Sequence, residues 1–177
     1  MKTMVLSLTI MTAVSAAILG SVKMFSEPRA AAALDRQKRE ALASVLPAFR
    51  GVESAQTADG LTVYRATDGN GQSVGVAVES FSDAGFAGRI TVLFGFNADG
   101  SLRGYNVLSH SETPGLGANM ATWFCADGTT HNVLGTTGPL KVSKDGGSVD
   151  AITGATITSR AFLEALDRAR AAAFARQ

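Results

Sequence analysis

Twenty residues without a charge, "TMVLSLTIMTAVSAAILGSV", lie between Lys2 and Lys23, and nothing else restricts the chain so tightly. As a helix, about 20 residues rise ~30 Å, the thickness of a bilayer's hydrocarbon core. Its serines and threonines are tolerable there because their hydroxyls bond back to the helix's own carbonyls. A cleaved signal peptide has a shorter apolar core, about 7–15 residues, and a small-residue cleavage site. Here the run passes straight into "KMFSEPRAAAALDRQKREAL", which reads as further helix. Residues 1–27 are therefore read as a retained transmembrane anchor. Lys23, Arg29, Arg36, Lys38 and Arg39 follow the span and only Met1 and Lys2 precede it. That count favours a cytoplasmic body.

Pro28 suits a first helical turn, and a helix is expected from there to about Val45, ending before Pro47. Leu34, Ala41, Leu42 and Val45 make one narrow apolar stripe, interrupted by Lys38. A helix so patterned is only partly buried, and residues 28–47 are read as a linker. Beyond it the pattern shifts to short runs rich in Val, Ile, Tyr and Phe: "LTVYRAT", "SVGVAVESF" and "RITVLFGFN". "NADGS" is a turn signal, and "LRGYNVLS" after it completes a hairpin. A last helix is expected from near Ser159, with Phe162, Leu166 and Ala169 on one face and Leu163 beside it. The expected fold class is α+β, an antiparallel sheet flanked by helices over residues 48–177.

Several functions are excluded early. A net charge of +1 leaves no basic footprint for nucleic acid. One cysteine, Cys125, builds no intramolecular disulfide, cysteine-based cluster or cysteine-rich zinc site; it reads as a small buried apolar residue. His110 and His131 are too few for a metal site unless carboxylates join them. "SHSE" places adjacent residues in an extended segment, where side chains alternate in direction and form no relay. There is no G-x-S-x-G elbow and no G-x-G-x-x-G nucleotide fingerprint.

Two segments remain. "ETPGLGANMATWF" begins with Thr113, Pro114, Gly115 and Gly117, a rigid turn with two permissive backbone positions. It reads as a connection into a short helix over residues 118–124, or as a wall that lets backbone approach a flat ligand. "DGGSVDAITGATITS" reads as a strand, a glycine turn, and Thr158 or Ser159 capping the last helix. That leaves Thr153 and Thr156, around Gly154 and Ala155, without a task. A helix N-terminus offers unpaired N–H groups and a favourable field for phosphate. A threonine there can hydrogen-bond a phosphate or be esterified by one.

At these residues the chain resembles the covalent-flavin subunit family: the G subunit of the Rnf electron-transport complex and the related C subunit of the sodium-pumping NADH:quinone reductase. "TGAT", "SETPGLG", "KDGGSVDAITGATITSRA" and the single N-terminal span carry the resemblance, and the short length favours the Rnf subunit. It implies an FMN-binding domain over residues 48–177, with FMN joined to Thr156 through a phosphoester bond. A flavin transferase makes that bond from FAD, and Asp150 matches the upstream acid of its recognition pattern. Gly154 and Ala155 would clear space for the phosphate, while Thr153, Thr158 and Ser159 would supply hydroxyls to it or to the helix start. Glu112, Thr113, Leu116 and Gly117 would flank the ring. The implied function is an electron carrier in a membrane-bound, ion-translocating ferredoxin:NAD oxidoreductase complex. Its partners would be the other membrane subunits. The family places the flavin domain on the periplasmic or outer side of the cell membrane. That placement, against the local charge count, is the expectation for this chain. The alternative is a membrane-anchored flavin sensor or regulatory module.

Overall fold

The computed structural model describes residues 9, 11, 12, 15, 36 and 38–175. The chain divides into two units, Met1–Glu40 and Ala41–Gln177. In the first, Thr9, Met11, Thr12 and Ser15 are helical, and Arg36 pairs with Glu40 one helical turn on, at 2.9 Å. Those residues apart, the anchor expected over residues 1–27 lies outside the described residues. Among the described residues no helix is long and apolar enough to cross a membrane.

The second unit is built on a five-stranded antiparallel sheet in which every strand pairs with its sequence neighbour. The strands are β1 (Gly51–Gln56), β2 (Thr62–Thr67), β3 (Ser73–Gly85), β4 (Gly88–Phe96) and β5 (Leu102–Ser109). Such a meander needs only short turns. The expected hairpin closes at residues 97–101, where the Gly100 N–H bonds the Asn97 carbonyl at 3.0 Å. Side chains alternate across a strand, and both faces of this sheet are covered. Ile90, Val92, Phe94 and Phe96 of β4 face one core, whereas Leu93 faces the other.

Within this unit the second face is covered by the helical residues 41–45, here α1, and by Leu46. There Leu42, Val45 and Leu46 pack against Ala66, Ala77 and Leu93. The larger core lies on the first face. It holds Phe124, which follows the short helix α2 (Met120–Trp123), and the apolar side of α3 (Thr156–Ala173). Phe162 of α3 is its hub: the ring stacks on Phe124 at 4.4 Å and meets Tyr105 and Phe94 edge-on at 4.8 and 5.4 Å. The same ring therefore sets α3 against both the sheet and the loop that ends in α2. Polar pins fix the helix along β3: Ser82 donates to Glu164 at 2.8 Å, and Arg168 donates to the Phe81 carbonyl at 2.7 Å.

Four details differ from the sequence expectation. β1 is additional: "GVESAQ" is exposed along almost its whole length, and an edge strand held by backbone pairing to β2 needs no apolar alternation. The strand expected before the TGAT turn is a single parallel bridge, Val142 to Val149. Helix α3 starts at Thr156, a turn earlier than Ser159. Cys125 is half-buried, its thiol donating to the Thr122 carbonyl at 3.3 Å.

A chain beginning at Ala41 is expected to melt cooperatively by circular dichroism. One beginning at Ala48 lacks Leu42, Val45 and Leu46, buried side chains worth ~1.5–3 kcal/mol each, and should melt at a clearly lower temperature. Equal melting temperatures would show that residues 41–46 add nothing to the fold.

Candidate functional site

The chemistry expected at the mouth of the last helix depends on where each hydroxyl points. Thr158 and Ser159 are fully buried. Ser159 accepts the Ile152 N–H and donates to the Ala155 carbonyl, both at 3.0 Å, stapling the TGAT turn to the helix. Thr158 turns into the protein and donates to Glu112 Oε2 at 2.7 Å. No side chain caps α3, whose N-cap position is Ala155. The capping role expected for Thr158 or Ser159 is thus corrected: in the first turn itself, both hydroxyls reach other partners. Thr156 is the first helical residue and is half-exposed. Before it, Gly154 sits at φ +76°, with Leu116 Cδ2 3.3 Å from where a Cβ would be.

A cavity of about 310 Å³ opens at this helix start. Gly154, Ala155, Thr156 and Thr158 line one side, and Glu112, Thr113, Leu116 and Gly117 line another. The fold therefore brings together the two segments singled out in the sequence. Thr153 and Ser159 do not line it, and neither does Asp150. Three lining residues were not anticipated: Lys144, Phe86 and Ile157. Ile157 lay inside the motif and Lys144 just upstream of it, so proximity in sequence was the available signal. Phe86 sits in the tight turn between β3 and β4, and only the closing of that hairpin reveals it. Phe86, Leu116 and Ile157 are 69%, 43% and 47% exposed, an unusual concentration of large apolar side chains at one opening.

Glu112 joins the walls. It is 5% exposed; its Oε1 accepts the Ala87 N–H at 3.1 Å and its Oε2 accepts the Thr158 hydroxyl. Its own N–H donates to His110 Nδ1 at 3.2 Å. Gly117 is required by this pair. A Cβ there would lie 2.4 Å from Glu112 Oε2 and 2.7 Å from Thr158 Oγ1, so its missing side chain makes room for protein. At Gly115 the constraint is the backbone, at φ +78°, with nothing within 4 Å of a Cβ. Asn119 braces that turn by donating to the Gly115 carbonyl at 2.9 Å.

Asp150 is exposed and organises the neighbouring loops. Its carboxylate accepts from the hydroxyls of Thr130 and of Ser143, the latter at 2.9 Å, and its carbonyl accepts from Trp123 Nε1 at 3.1 Å. The Thr130 and Ser143 bonds hold its carboxyl below the usual carboxylate range. Trp123 stacks on His131, with ring centroids 4.1 Å apart. Tyr105 donates to the Met120 carbonyl at 2.8 Å, and burial pushes its phenol up. Neither aromatic lines the cavity. Among the described residues no cluster of histidine, cysteine and carboxylates forms a metal site.

An apolar-walled cavity at an uncapped helix start suits a ligand with a flat apolar part and a phosphate. Residues 85–171 match the family described as the FMN-binding domain. The chain is 33% identical over 174 residues to the G subunit of the ion-translocating oxidoreductase complex of Methanosarcina acetivorans, the match covering 93% of this chain and 90% of that one. It is 39% identical over 110 residues to the protein of that name from Vibrio vulnificus and 40% over 119 residues to that from Vibrio parahaemolyticus. Those two matches span 52% and 54% of the relatives' own length. The chain belongs to the family of G subunits of ion-translocating oxidoreductase complexes.

Thr158→Val leaves a buried carboxylate oxygen without its donor, which should cost about 1–3 kcal/mol. Gly117→Ala forces the same contact apart. Because both act on one hydrogen bond, their effects on urea unfolding should fall short of additive in the double variant. Strict additivity would mean that Gly117→Ala does not act through the Glu112–Thr158 bond.

Proposed function

We propose that this chain is the electron-carrier subunit of a membrane-bound, ion-translocating oxidoreductase complex, working through FMN joined to Thr156 as a phosphoester. The observation that carries the reading is the position of Thr156. It is the first residue of a helix that no side chain caps, and it lines a cavity walled by the second segment of the sequence resemblance, residues 112–117. The residues fit the cofactor. The helix start presents N–H groups and a favourable field to a phosphate. Gly154 and Ala155 put no bulky side chain beside it, and Phe86, Leu116 and Ile157 offer apolar surface to a flat ring.

When bound, the flavin supplies the redox chemistry. The chain's own residues do the rest. Thr156 fixes the phosphate end. The Glu112 bridge holds the loop, the hairpin and the helix at a constant separation, so the ring's surroundings stay constant from one electron to the next. Asp150 presents an acid upstream of the attachment residue, where a flavin transferase would read it. The other partners in this reading are the remaining subunits of the complex, with ferredoxin and NAD at the ends of the electron path. Residues 1–27 form its single-pass anchor and the flavin domain lies on the outer face.

The test is intact mass of the chain taken from its native membrane, with in-gel flavin fluorescence after denaturation. Wild type should carry one covalent flavin. Thr156→Ala should carry none while keeping its melting temperature within about 1 °C, because removing one half-exposed hydroxyl costs little stability. Covalent flavin persisting on Thr156→Ala would overturn the assignment.

A further inference from the structure

Among the described residues, Lys144 is the one cation lining the cavity. Its Nζ donates to Thr156 Oγ1 at 3.4 Å, and among the described residues it takes part in no ion pair. An exposed lysine is ordinarily a mobile, solvated charge, but the backbone of this one is held. It is the middle residue of the short turn Ser143–Asp145. On one side, Ser143 donates to Asp150 and its N–H bonds the Val149 carbonyl at 2.8 Å. On the other, Asp145 meets Arg160 through two parallel bonds of 2.7 Å. Arg160 lies four residues beyond Thr156, hence on the same face of α3. The turn lies along that face so that Asp145 meets Arg160 and Lys144 meets Thr156. Gly146, at φ +79°, lets the chain leave the turn at once.

A phosphoester of Thr156 with FMN is a phosphodiester and carries one negative charge. We propose that Lys144 is the residue that neutralises this charge, and that the Asp145–Arg160 clamp exists to hold it there. The inference rests on the attachment of flavin at Thr156 proposed above. It assigns to "KDGG" a role separate from recognition by the transferase. In the transfer the Thr156 oxygen gives up its proton and displaces AMP from FAD as its new bond to the flavin phosphorus forms; Lys144 supplies an ammonium at that oxygen and favours both the charge building up in this step and the finished diester.

Full-length wild type, Lys144→Met and Lys144→Arg, each in membranes with a flavin transferase and FAD, would be followed by intact mass over time. Phosphorus NMR would then be recorded on the loaded proteins. Lys144→Met should incorporate flavin about tenfold more slowly, the usual scale for one charge-assisted bond. Its phosphorus resonance should be displaced, while its melting temperature is unchanged. Lys144→Arg should restore the rate. Flavin on wild type, with Lys144→Met loading as fast and showing the same resonance, would overturn the role of the lysine and leave the attachment standing. A wild-type chain that gains no flavin would overturn the attachment and this role with it.

Discussion

Glu112 is taken almost wholly out of water, and each of its carboxylate oxygens meets a donor from a different element: the Ala87 N–H from the turn after β3, and the Thr158 hydroxyl from α3. A buried carboxylate without donors is expensive, so the position is stable only when the turn, the loop and the helix are all in place. Those same elements carry Phe86, Leu116 and Ile157, the apolar residues around the cavity. One polar bridge beneath the opening thus spaces the apolar walls above it. Gly117 belongs to this constraint, since any side chain there would strike the bridge.

The start of α3 is kept open by the same arrangement. Threonine and serine are favoured helix caps, and this helix has both in its first turn. Each is drawn away, Thr158 to Glu112 and Ser159 to the TGAT turn. What remains at the mouth is Ala155, which has no capping group, and Thr156, whose hydroxyl meets Lys144. A helix end left without a side-chain cap forgoes some stability. Burial of Phe162 among Phe124, Tyr105 and Phe94 further along the helix compensates by holding it through packing.

The turn at residues 143–145 shows how exposed ion pairs contribute here. Arg160 and Asp145 are 50% and 37% exposed as side chains, so their pair adds little to global stability. Its consequence is positional: it lays the turn on the face of α3 that bears Thr156. Asp150 acts likewise through Thr130, Ser143 and Trp123, drawing the loops on that side together.

The strands β2 to β5, the hairpin at 97–101 and the apolar face of α3 were legible in the chain itself, because alternation and helical periodicity record directly which side chains are buried. The small residues and hydroxyls clustered at 153–159 stood out as more than one cap requires, while the part given to each of them rested on the family resemblance. β1 was not legible, since an exposed edge strand is held by backbone pairing that leaves no mark on side-chain pattern. Nor was the division of labour among the hydroxyls. Thr156 and Thr158 are the same residue type two positions apart, and only the rotation of the helix over Glu112 makes one half-exposed and the other buried. The sequence determined by itself that a strand-rich body would end in a helix opening on a turn of small residues and hydroxyls. Tertiary structure alone decided which threonine of the helix start stays half-exposed and which is buried against Glu112, which lysine meets the cavity and which hairpin closes it, because those contacts join residues far apart in the chain and depend on how the elements pack.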